Sequence, residues 1–470
     1  MLGYSFLQRF VELVRRGKLM ESVQTAAALG PVALSMAPYL AAFAAEHKDN
    51  GFLGALAAHF APILPAPRES PRKAWITDTY AEVNGVSRTI QAMAAAARRM
   101  GRPLTVLTSL AAVPPSKADV QNFLPVGVFP MPEYESQALA FPPFLEVIEY
   151  IERQRFAELI ISTPGPMGLT GMAAARLLGL RTMAIYHTDF VQYVRYLTQD
   201  DDLAGFTWKY LLWFYGQADL VLVPTEYYRQ HLIENGFEPG KLRVMARGVD
   251  CRSFQPEKHD PAFFERYGCN GSLKFLYAGR VSREKNVDGL IAAFDRLRER
   301  GHSADLVIVG DGPYRKELQA RCRGRAVVFT GMLAGDELAA AYASADVMVF
   351  PSTTDTFGNV VLEAQASGLP VIVSDLGGPA DIVRAHDSGM IVDHQQPEAL
   401  VDAMEKLYLS PQLRADLRAR GLRNAAQCTW ENALDSLWSL GDGAAAAVDL
   451  SAFRSRGAAV SPAVIGLEFA

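Results

Sequence analysis

The sequence has 470 residues, more than one hydrophobic core ordinarily spans, so we expect two domains and additional segments. Half of the residues are hydrophobic and 21% are charged, as in large, well-buried α/β domains. The net charge of −5, from 46 basic and 51 acidic residues, gives no general basis for nucleic-acid binding. The four cysteines lie far apart without metal-ligand spacing, which indicates reduced thiols in a cytoplasmic protein.

The first 70 residues differ in composition from the rest. Apolar residues recur at helical spacing over residues 4–18 with basic residues among them, so this helix either lies on an anionic membrane surface or packs on the main body. Residues 22–45 carry no charge and are long enough to cross a bilayer, but Pro31 and Pro38 interrupt them and small or polar residues dominate. We therefore predict a helical extension over residues 1–70 rather than a membrane span.

Residues 71–247 alternate apolar runs with helical stretches. The strand-like runs include KAWITD, AELIISTPG and RTMAIYHTD, and the helical ones include GVSRTIQAMAAAARRMG and MGLTGMAAARLLG. Strands that are apolar throughout and separated by helices predict a parallel sheet covered on both faces. This region is predicted to be one doubly wound, Rossmann-like domain.

The same pattern restarts after a linker at 248–272. Residues 273–440 contain strand-like LKFLYAGR, ADLVIVGDG and PVIVSD between helical stretches, and residues 441–470 are weakly patterned, as in a tail. Two doubly wound domains in tandem place the carboxyl edges of two sheets across a cleft, and such edges bind ligands. The predicted site therefore draws on both halves.

The stretch TDTFGNVVLEAQASGLPV begins at Thr354 and follows a predicted strand. It predicts a turn at a carboxyl edge and a helix whose first free amides, from Phe357 onward, attract phosphate. Gly358 would let the backbone approach a ligand closely. Asp355 before the helix and Glu363 within it suit a nucleotide sugar, with one carboxylate for the hexose and the other for the ribose.

Positive charge for such a ligand is present in YAGRVSREKN, just after the first strand of the second domain. Arg280 and Lys285 would donate charge-assisted hydrogen bonds to a diphosphate. Both residues could also be ordinary solvated loop charges. Their place on the same sheet edge as the two acids favours the phosphate role.

At this point the sequence resembles the retaining glycosyltransferases of family 4, which have the GT-B fold of two Rossmann-like domains facing a cleft. The motifs that carry the resemblance are GRVSREKNVDGLIAAF, IVGDGP, TDTFGNVVLEAQASGLPVI, DTYAEVNGVSRTI and YHTDFVQY. Together they cover roughly residues 73–440. One departure is Asp355, because the family usually has Glu at that position, and we expect an altered hexose contact there.

The resemblance implies a donor site and its residues. The implied catalytic residues are His187, Arg280, Lys285 and Asp355. The implied donor-binding residues are Arg280, Lys285 and Asp355 together with Asn84, Gly85, Gly312, Gly331, Met332, Thr356, Phe357, Gly358, Asn359 and Glu363. His187 would orient the hexose through its neutral imidazole or its main-chain carbonyl.

The chemistry that follows is hexose transfer from a GDP- or UDP-hexose. Breaking the anomeric bond leaves negative charge on the diphosphate, and the cationic pair and helix start would stabilise that charge. We therefore expect no metal and no cofactor. The resemblance, rather than any residue, implies retention of anomeric configuration.

The acceptor is predicted to be lipid-linked or a glycan. Aromatic residues between 193 and 215 suit sugar stacking, a membrane interface or a core, and similar family members act on diacylglycerol lipids or add mannose. The resulting expectation is a cytoplasmic enzyme of glycolipid or cell-envelope biosynthesis, working at the inner face of the membrane. Two alternatives remain: a non-catalytic nucleotide-sugar-binding subunit, and a GT-B epimerase or phosphorylase.

Overall fold

The computed structural model describes residues 72–442, except 83, 114–117 and 131–137, together with isolated positions between 9 and 45. The predictions for the amino-terminal extension, including residues 4–18, and for the tail fall almost entirely outside the described residues. Within the part of the chain that is described, no helix combines the length and apolar character that a membrane crossing needs.

The first domain is built on a seven-stranded parallel sheet. Its strands stand in the order β3-β2-β1-β6-β7-β8-β9. Their bounds are β1 Lys73–Ile76, β2 Leu104–Thr108, β3 Val120–Asn122, β6 Glu158–Ile161, β7 Arg181–Ile185, β8 Leu220–Val223 and β9 Leu242–Val244. A separate antiparallel pair, β4 Gly127–Pro130 and β5 Ala138–Phe141, lies outside this sheet.

Six α-helices lie among the described residues of this half. They are α1 Gly85–Arg99, α2 Phe144–Gln154, α3 Pro166–Leu178, α4 Phe190–Thr198, α5 Asp201–Gly216 and α6 Glu226–Glu234. Two apolar clusters, one on each side of the sheet, share its strands, since alternate residues of β1 such as Trp75 and Ile76 fall in different clusters. Both faces of this sheet are therefore covered, as its uninterrupted apolar strands predict.

The second domain has a six-stranded parallel sheet in the order β12-β11-β10-β13-β14-β15. Its strands are β10 Leu273–Ala278, β11 Ala304–Val309, β12 Val327–Gly331, β13 Val347–Phe350, β14 Val371–Ser374 and β15 Met390–Val392. The helices that follow are α7 Val287–Glu299, α8 Arg315–Arg321, α9 Gly335–Ser344, α10 Asn359–Ala366, α11 Gly378–Arg384, α12 Pro397–Leu409 and α13 Pro411–Gln427. The strand order reverses between β10 and β13, a topological switch point at which such sheets bind ligands.

The last described helix, α14 (Trp430–Asp442), returns to the first domain. Its apolar side chains pack into the cluster that contains Trp75, and the sequence had grouped most of this helix with the second domain. The Lys73 ammonium lies 4.9 Å from the Trp438 ring centroid, and Glu431 forms a salt bridge with Arg99. The helix thus covers one face of the first sheet.

The chain crosses between the domains along two adjacent segments. The Val249 amide donates a hydrogen bond to the Cys428 carbonyl at 2.8 Å. A Cβ on Gly248 would lie 2.5 Å from the Trp430 nitrogen, so the two segments touch without room for a side chain. The outward and return crossings therefore run side by side.

Candidate active site

The predicted phosphate-binding loop lies between β13 and α10 at the carboxyl edge of the second sheet. Gly358 immediately precedes α10 and has φ of 89°, a conformation that glycine adopts at little cost. A Cβ at this position would lie 2.8 Å from Pro379 Cγ. The loop therefore requires glycine here, and the free amides of α10 begin where the sequence predicts a ligand.

Lys285 is at the end of a short 3-10 turn after β10, and only 7% of its surface is exposed. Its Nζ donates to Asp355 Oδ2 at 2.9 Å and to Thr354 Oγ1 at 3.3 Å. The predicted cation and the predicted first acid are thus brought together as an ion pair. Arg280 lies on the same edge with an exposed side chain, and its carbonyl accepts a hydrogen bond from the Tyr277 hydroxyl at 2.8 Å.

Glu363 lies on the second turn of α10 and is partly exposed. The Tyr342 hydroxyl donates a hydrogen bond to its Oε2 at 3.0 Å. Burial raises the pKa of the Glu363 carboxyl, while the charge of Arg88 and the hydrogen bond from Tyr342 oppose the rise. Because Arg88 belongs to α1, this carboxylate also lies where the two domains approach each other.

The same loop contacts the first domain at two further points. Thr356 Oγ1 donates to the main-chain carbonyl of His187 at 2.5 Å. A Cβ on Gly85 would lie 4.0 Å from Asn359 Nδ2. Asn359 Oδ1 is buried and has no hydrogen-bond partner among the described residues. Thr356 and Asn359 of the second domain therefore lie against His187 and Gly85 of the first, and all four are predicted site residues.

His187 follows β7 and is buried, with 6% of its surface exposed. Its Nε2 lies 3.0 Å from Ser162 Oγ, and its Nδ1 lies 3.0 Å from an Arg247 nitrogen. Burial, and secondarily the charge of Arg247, hold the pKa of the imidazole well below its usual value. The ring is thus neutral and engaged inside the first domain, and the carbonyl is the part of His187 that contacts the loop.

Asn84 serves as the amino-terminal cap of α1. Its Oδ1 accepts from the Ser87 amide at 2.8 Å, and its Nδ2 donates to Thr79 Oγ1 at 2.9 Å. This cap fixes the turn that brings Gly85 to Asn359. Asn84 thus has a structural role as a helix cap, and its contact with the donor stays a prediction.

The residues predicted to face the nucleobase follow β11 and β12, which lie on the other side of β10 from β13. Gly312 follows β11, Gly331 ends β12, and Met332 is 61% exposed. The Arg315 side chain lies against Gly331, because its Nη1 would be 3.3 Å from a Cβ added at that glycine. The same nitrogen donates to Asp311 Oδ2 at 2.9 Å. A surface depression lined by Asp311, Gly312 and Arg315 adjoins this group.

The sequence did not single out Asp78, which follows β1 at the carboxyl edge of the first sheet. Its carboxylate accepts from Thr163 Oγ1 at 2.5 Å and from the Met167 amide at 2.7 Å. Burial raises the pKa of Asp78 to about 6, although these hydrogen bonds oppose the rise. The signal that could have found it is an acid placed directly after the first strand, as in KAWITD.

One group in the described chain has metal-ligand geometry. The ligand atoms of Asp375, Asp393 and His394, after β14 and β15, all lie within 4.8 Å of one another. His394 already uses its Nδ1 and its amide on Asp375 Oδ1, at 2.9 and 3.0 Å. Hydrogen bonding within the group accounts for this arrangement, and the expectation of a metal-free site stays a prediction.

The aromatic residues between 193 and 215 divide into two sets. Phe214 and Tyr215 are buried in the first-domain core, while Trp213 is 54% exposed. Phe206, on the same helix, is 69% exposed. Asp200 caps this helix by accepting from the Leu203 amide at 3.0 Å, and Asp201 and Asp202 lie in its first turn.

Comparisons with known proteins agree with this architecture and class. The family described as "Glycosyltransferase Family 4" matches residues 83–253, and the family described as "Glycosyl transferases group 1" matches residues 262–423. The chain is 32% identical to sulfoquinovosyl transferase SQD2 of Arabidopsis thaliana, over 74% of this chain and 68% of that protein. The chain belongs to the family 4 (group 1) glycosyltransferases.

Two further curated relatives are hexosyltransferases. A GDP-mannose-dependent alpha-mannosyltransferase of Corynebacterium glutamicum is 30% identical over 68% of this chain and 72% of its own length. The alpha-monoglucosyldiacylglycerol synthase of Streptococcus pneumoniae is 29% identical over 63% of this chain and 69% of its own length. These matches confirm that the protein is a glycosyltransferase, as the motifs predict.

Solved structures confirm the fold. Anabaena HepE in complex with UDP and glucose has a TM-score of 0.65 at 17% identity, covering 80% of this chain and 100% of that chain. WaaG, a glycosyltransferase involved in lipopolysaccharide biosynthesis, has a TM-score of 0.59 at 16% identity, covering 78% and 99%. The predicted GT-B arrangement of two doubly wound domains is therefore confirmed.

Proposed function

We propose that this glycosyltransferase moves a mannose- or glucose-type hexose from a GDP- or UDP-sugar to a lipid-linked or saccharide acceptor. The names of its relatives support the proposed donor and the proposed acceptor, since they include GDP-mannose-dependent enzymes and a glucosyldiacylglycerol synthase. HepE, which shares the fold, binds UDP and glucose. The sequence motifs of the donor site point in the same direction.

The observation that carries the proposal is the buried ammonium of Lys285 at the carboxyl edge of the second sheet. It lies beside the loop that leads into α10, and one carboxylate, Asp355, pairs with it. A donor diphosphate would take over part of this ammonium's hydrogen bonding, and Asp355 would then be released to a hexose hydroxyl. Lys285, Arg280 and the free amides of α10 would together stabilise the departing diphosphate.

We further propose that transfer proceeds with retention and without a metal ion. The positive charge that a metal would supply to the leaving group is provided here by Lys285, Arg280 and the helix start. In a front-side attack, the departing diphosphate oxygen takes the acceptor proton, so no separate base is required. The His187 carbonyl and Asp355 would hold the hexose between the two domains.

The acceptor site is proposed on the first domain. Exposed Phe206 and Trp213 on α5 present apolar surface of the kind that a lipid-linked acceptor contacts. We propose that the enzyme acts on the cytoplasmic face of a membrane, with the basic helix predicted at residues 4–18 as a peripheral contact.

A panel of radiolabelled sugar nucleotides, offered with membrane extract and with purified diacylglycerol lipids, tests the proposal. Label should move from one GDP- or UDP-hexose into the lipid or glycan fraction, and should do so in the presence of EDTA. The configuration of the new bond, read by NMR, should match that of the donor. Binding of donors without transfer would favour a non-catalytic subunit, and epimerised or phosphorolysed donor would favour the other alternative.

A further inference from the structure

Arg247 is a buried cation that the sequence did not single out. It follows β9 on the segment leading to the second domain, and 7% of its surface is exposed. Among the described residues, its hydrogen-bond partners are a hydroxyl and an imidazole rather than a carboxylate, and burial lowers its pKa to about 10. A buried guanidinium without an acidic partner carries a desolvation cost, so its position calls for an explanation.

The contacts of Arg247 give that explanation. Its Nη1 donates to Thr89 Oγ1 at 2.7 Å, and its Nη2 lies 3.0 Å from His187 Nδ1. A guanidinium can only donate, so Nδ1 must be the accepting, unprotonated nitrogen. The imidazole proton is therefore on Nε2, where it is donated to Ser162 Oγ at 3.0 Å.

The same hydrogen-bond chain continues into the first-domain core. Ser162 Oγ also accepts from the indole nitrogen of Trp75 at 2.5 Å. The imidazole is thus held at one end by a core tryptophan through Ser162 and at the other end by Arg247. A ring held at both nitrogens fixes the orientation of the His187 backbone as well.

Arg247 and His187 both meet the loop before α10. The His187 carbonyl accepts from Thr356, and the Arg247 guanidinium carbon lies 5.5 Å from the ring centroid of Phe357. Two consecutive loop residues from the second domain therefore rest on two side-by-side residues of the first. A change in the orientation of His187 would therefore move the loop that is proposed to bind the donor.

We propose that Arg247 is a positioning residue for hexose transfer: by donating to His187 Nδ1 it fixes the Nε2–H tautomer and so holds the His187 carbonyl against the donor loop. The expected effect of Arg247 on transfer kinetics rests on the proposed function. The tautomer of His187 can be tested whether or not that function is correct. The essential property is the hydrogen bond to Nδ1, with the charge as a secondary contribution.

The charges around His187 give the sign of the pH effect. Among the described residues, Arg247 is the charged side chain that shifts the His187 pKa, and it shifts it downward. The nearby acid Asp189 accepts from the Gln192 amide at 3.0 Å. Removing the guanidinium would raise the His187 pKa, so that on acidification the ring would gain a proton at Nδ1.

NMR of the full chain with labelled histidine tests the structural part. The wild-type His187 ring, identified among the eight histidines by its absence in His187→Gln, should show the Nε2–H tautomer and no titration between pH 8 and 6. In Arg247→Met, which keeps the length but cannot donate, the ring should titrate within or closer to this range. In Arg247→Gln, which still donates, the wild-type tautomer should persist.

Steady-state kinetics with the donor found active test the functional part. Arg247→Met should lower kcat/KM for the donor by about 10- to 100-fold, as for a misplaced binding group. Arg247→Gln should recover most of that loss, and the Arg247→Met rate should fall further on acidification. Arg243→Met removes an exposed arginine of β9 whose Nη1 donates to the Gly240 carbonyl at 2.9 Å; it serves as the matched control and should leave both the His187 spectrum and the rate close to wild type.

The outcomes separate this inference from the proposed function. If the wild type transfers no hexose from any donor, the proposed function fails, while the spectra still test the tautomer. If Arg247→Met is folded and retains both the wild-type spectrum and the wild-type rate, the positioning role is overturned. Equal losses in Arg247→Met and Arg247→Gln with an unchanged His187 spectrum would also overturn it.

Discussion

Lys285 has a buried ammonium whose present partners are Asp355 and Thr354. Lys285→Met removes that charge and keeps most of the side-chain volume. Charge-assisted hydrogen bonds contribute about 1.5–3 kcal/mol, so kcat/KM should fall by about 10- to 150-fold. Steady-state assays of transfer measure the change.

The neighbouring Arg283 offers a matched control for this substitution. Its side chain is exposed and forms a salt bridge with Glu317. Arg283→Met removes a cation from the same short turn and should leave the rate near wild type. Equal rates in Lys285→Met and the wild type would contradict the assignment of Lys285 to the leaving group.

Asp78 should make stability depend on pH. Its pKa of about 6 lies above the ordinary value of 3.8, so the folded state holds the proton more tightly than the unfolded chain does. The stabilisation is therefore complete below about pH 4 and is lost as the pH rises through 6, by at most about 3 kcal/mol. Asp78→Asn does not titrate, so its stability relative to wild type should rise between pH 4 and 7 in urea unfolding.

The exposed acid Asp202, at the start of α5, provides the comparison. Asp202→Asn should show no such relative gain across this pH range. A flat difference between Asp78→Asn and wild type would mean that the hydrogen bonds to the Asp78 carboxylate fully offset its burial.

Residues differ in how far the sequence could predict them. Lys285 and Asp355 follow strands of one parallel sheet, so their proximity follows from the strand pattern alone. The partnership of Arg247 with His187 joins segments 60 residues apart, and its distances depend on packing that no local pattern encodes. The place of Asp78 just after the first strand could have drawn attention to it, but its hydrogen bond from the Met167 amide at the start of α3 depends on the fold.

At the scale of elements, the turn into α10 depends on Gly358. Gly358→Ala would place a Cβ in a left-handed conformation and 2.8 Å from Pro379 Cγ. The backbone penalty is about 1–2 kcal/mol, and the contact with Pro379 adds to it. Urea unfolding should show a loss above about 2 kcal/mol, and the KM for the donor should rise because the α10 amides shift.

Gly335 isolates the backbone contribution. It has φ of 55° and no atom within 4 Å of an added Cβ. Gly335→Ala should therefore lose only the conformational part, about 1–2 kcal/mol, with an unchanged donor KM. Similar KM values in Gly358→Ala and Gly335→Ala would argue against a donor role for this turn.

For whole elements the sequence was a good guide where a local period defines the structure. The apolar runs in both halves became strands of parallel sheets, because a strand buried on both faces has no polar positions. The return of α14 to the first domain was not apparent, since helical periodicity indicates an apolar face without indicating its partner. Strand order likewise came only with the structure.

At the scale of the whole molecule, α14 should be essential for the stability of the first domain. Trp438 is almost fully buried against the first sheet and stacks under Lys73. Trp438→Ala should cost about 3–5 kcal/mol, as for other buried aromatic truncations. Trp213→Ala, at a side chain that is 54% exposed, should cost much less in the same urea titration.

A small loss in Trp438→Ala would indicate that α14 is a dispensable cover rather than part of the core. Multi-domain unfolding need not be two-state, so the tryptophan and circular-dichroism transitions should be followed together. The expected result is an early transition that belongs to the first domain.

The adjacent crossings at Val249 and Cys428 restrict how the two halves can move. Two covalent connections on one side of a molecule form a hinge, which permits the domains to open about the line along the two connections and resists sliding or twisting. A sugar nucleotide would then enter from the side opposite this hinge. Each opening would break the Thr356 and Phe357 contacts together, and each closing would restore them in the same register.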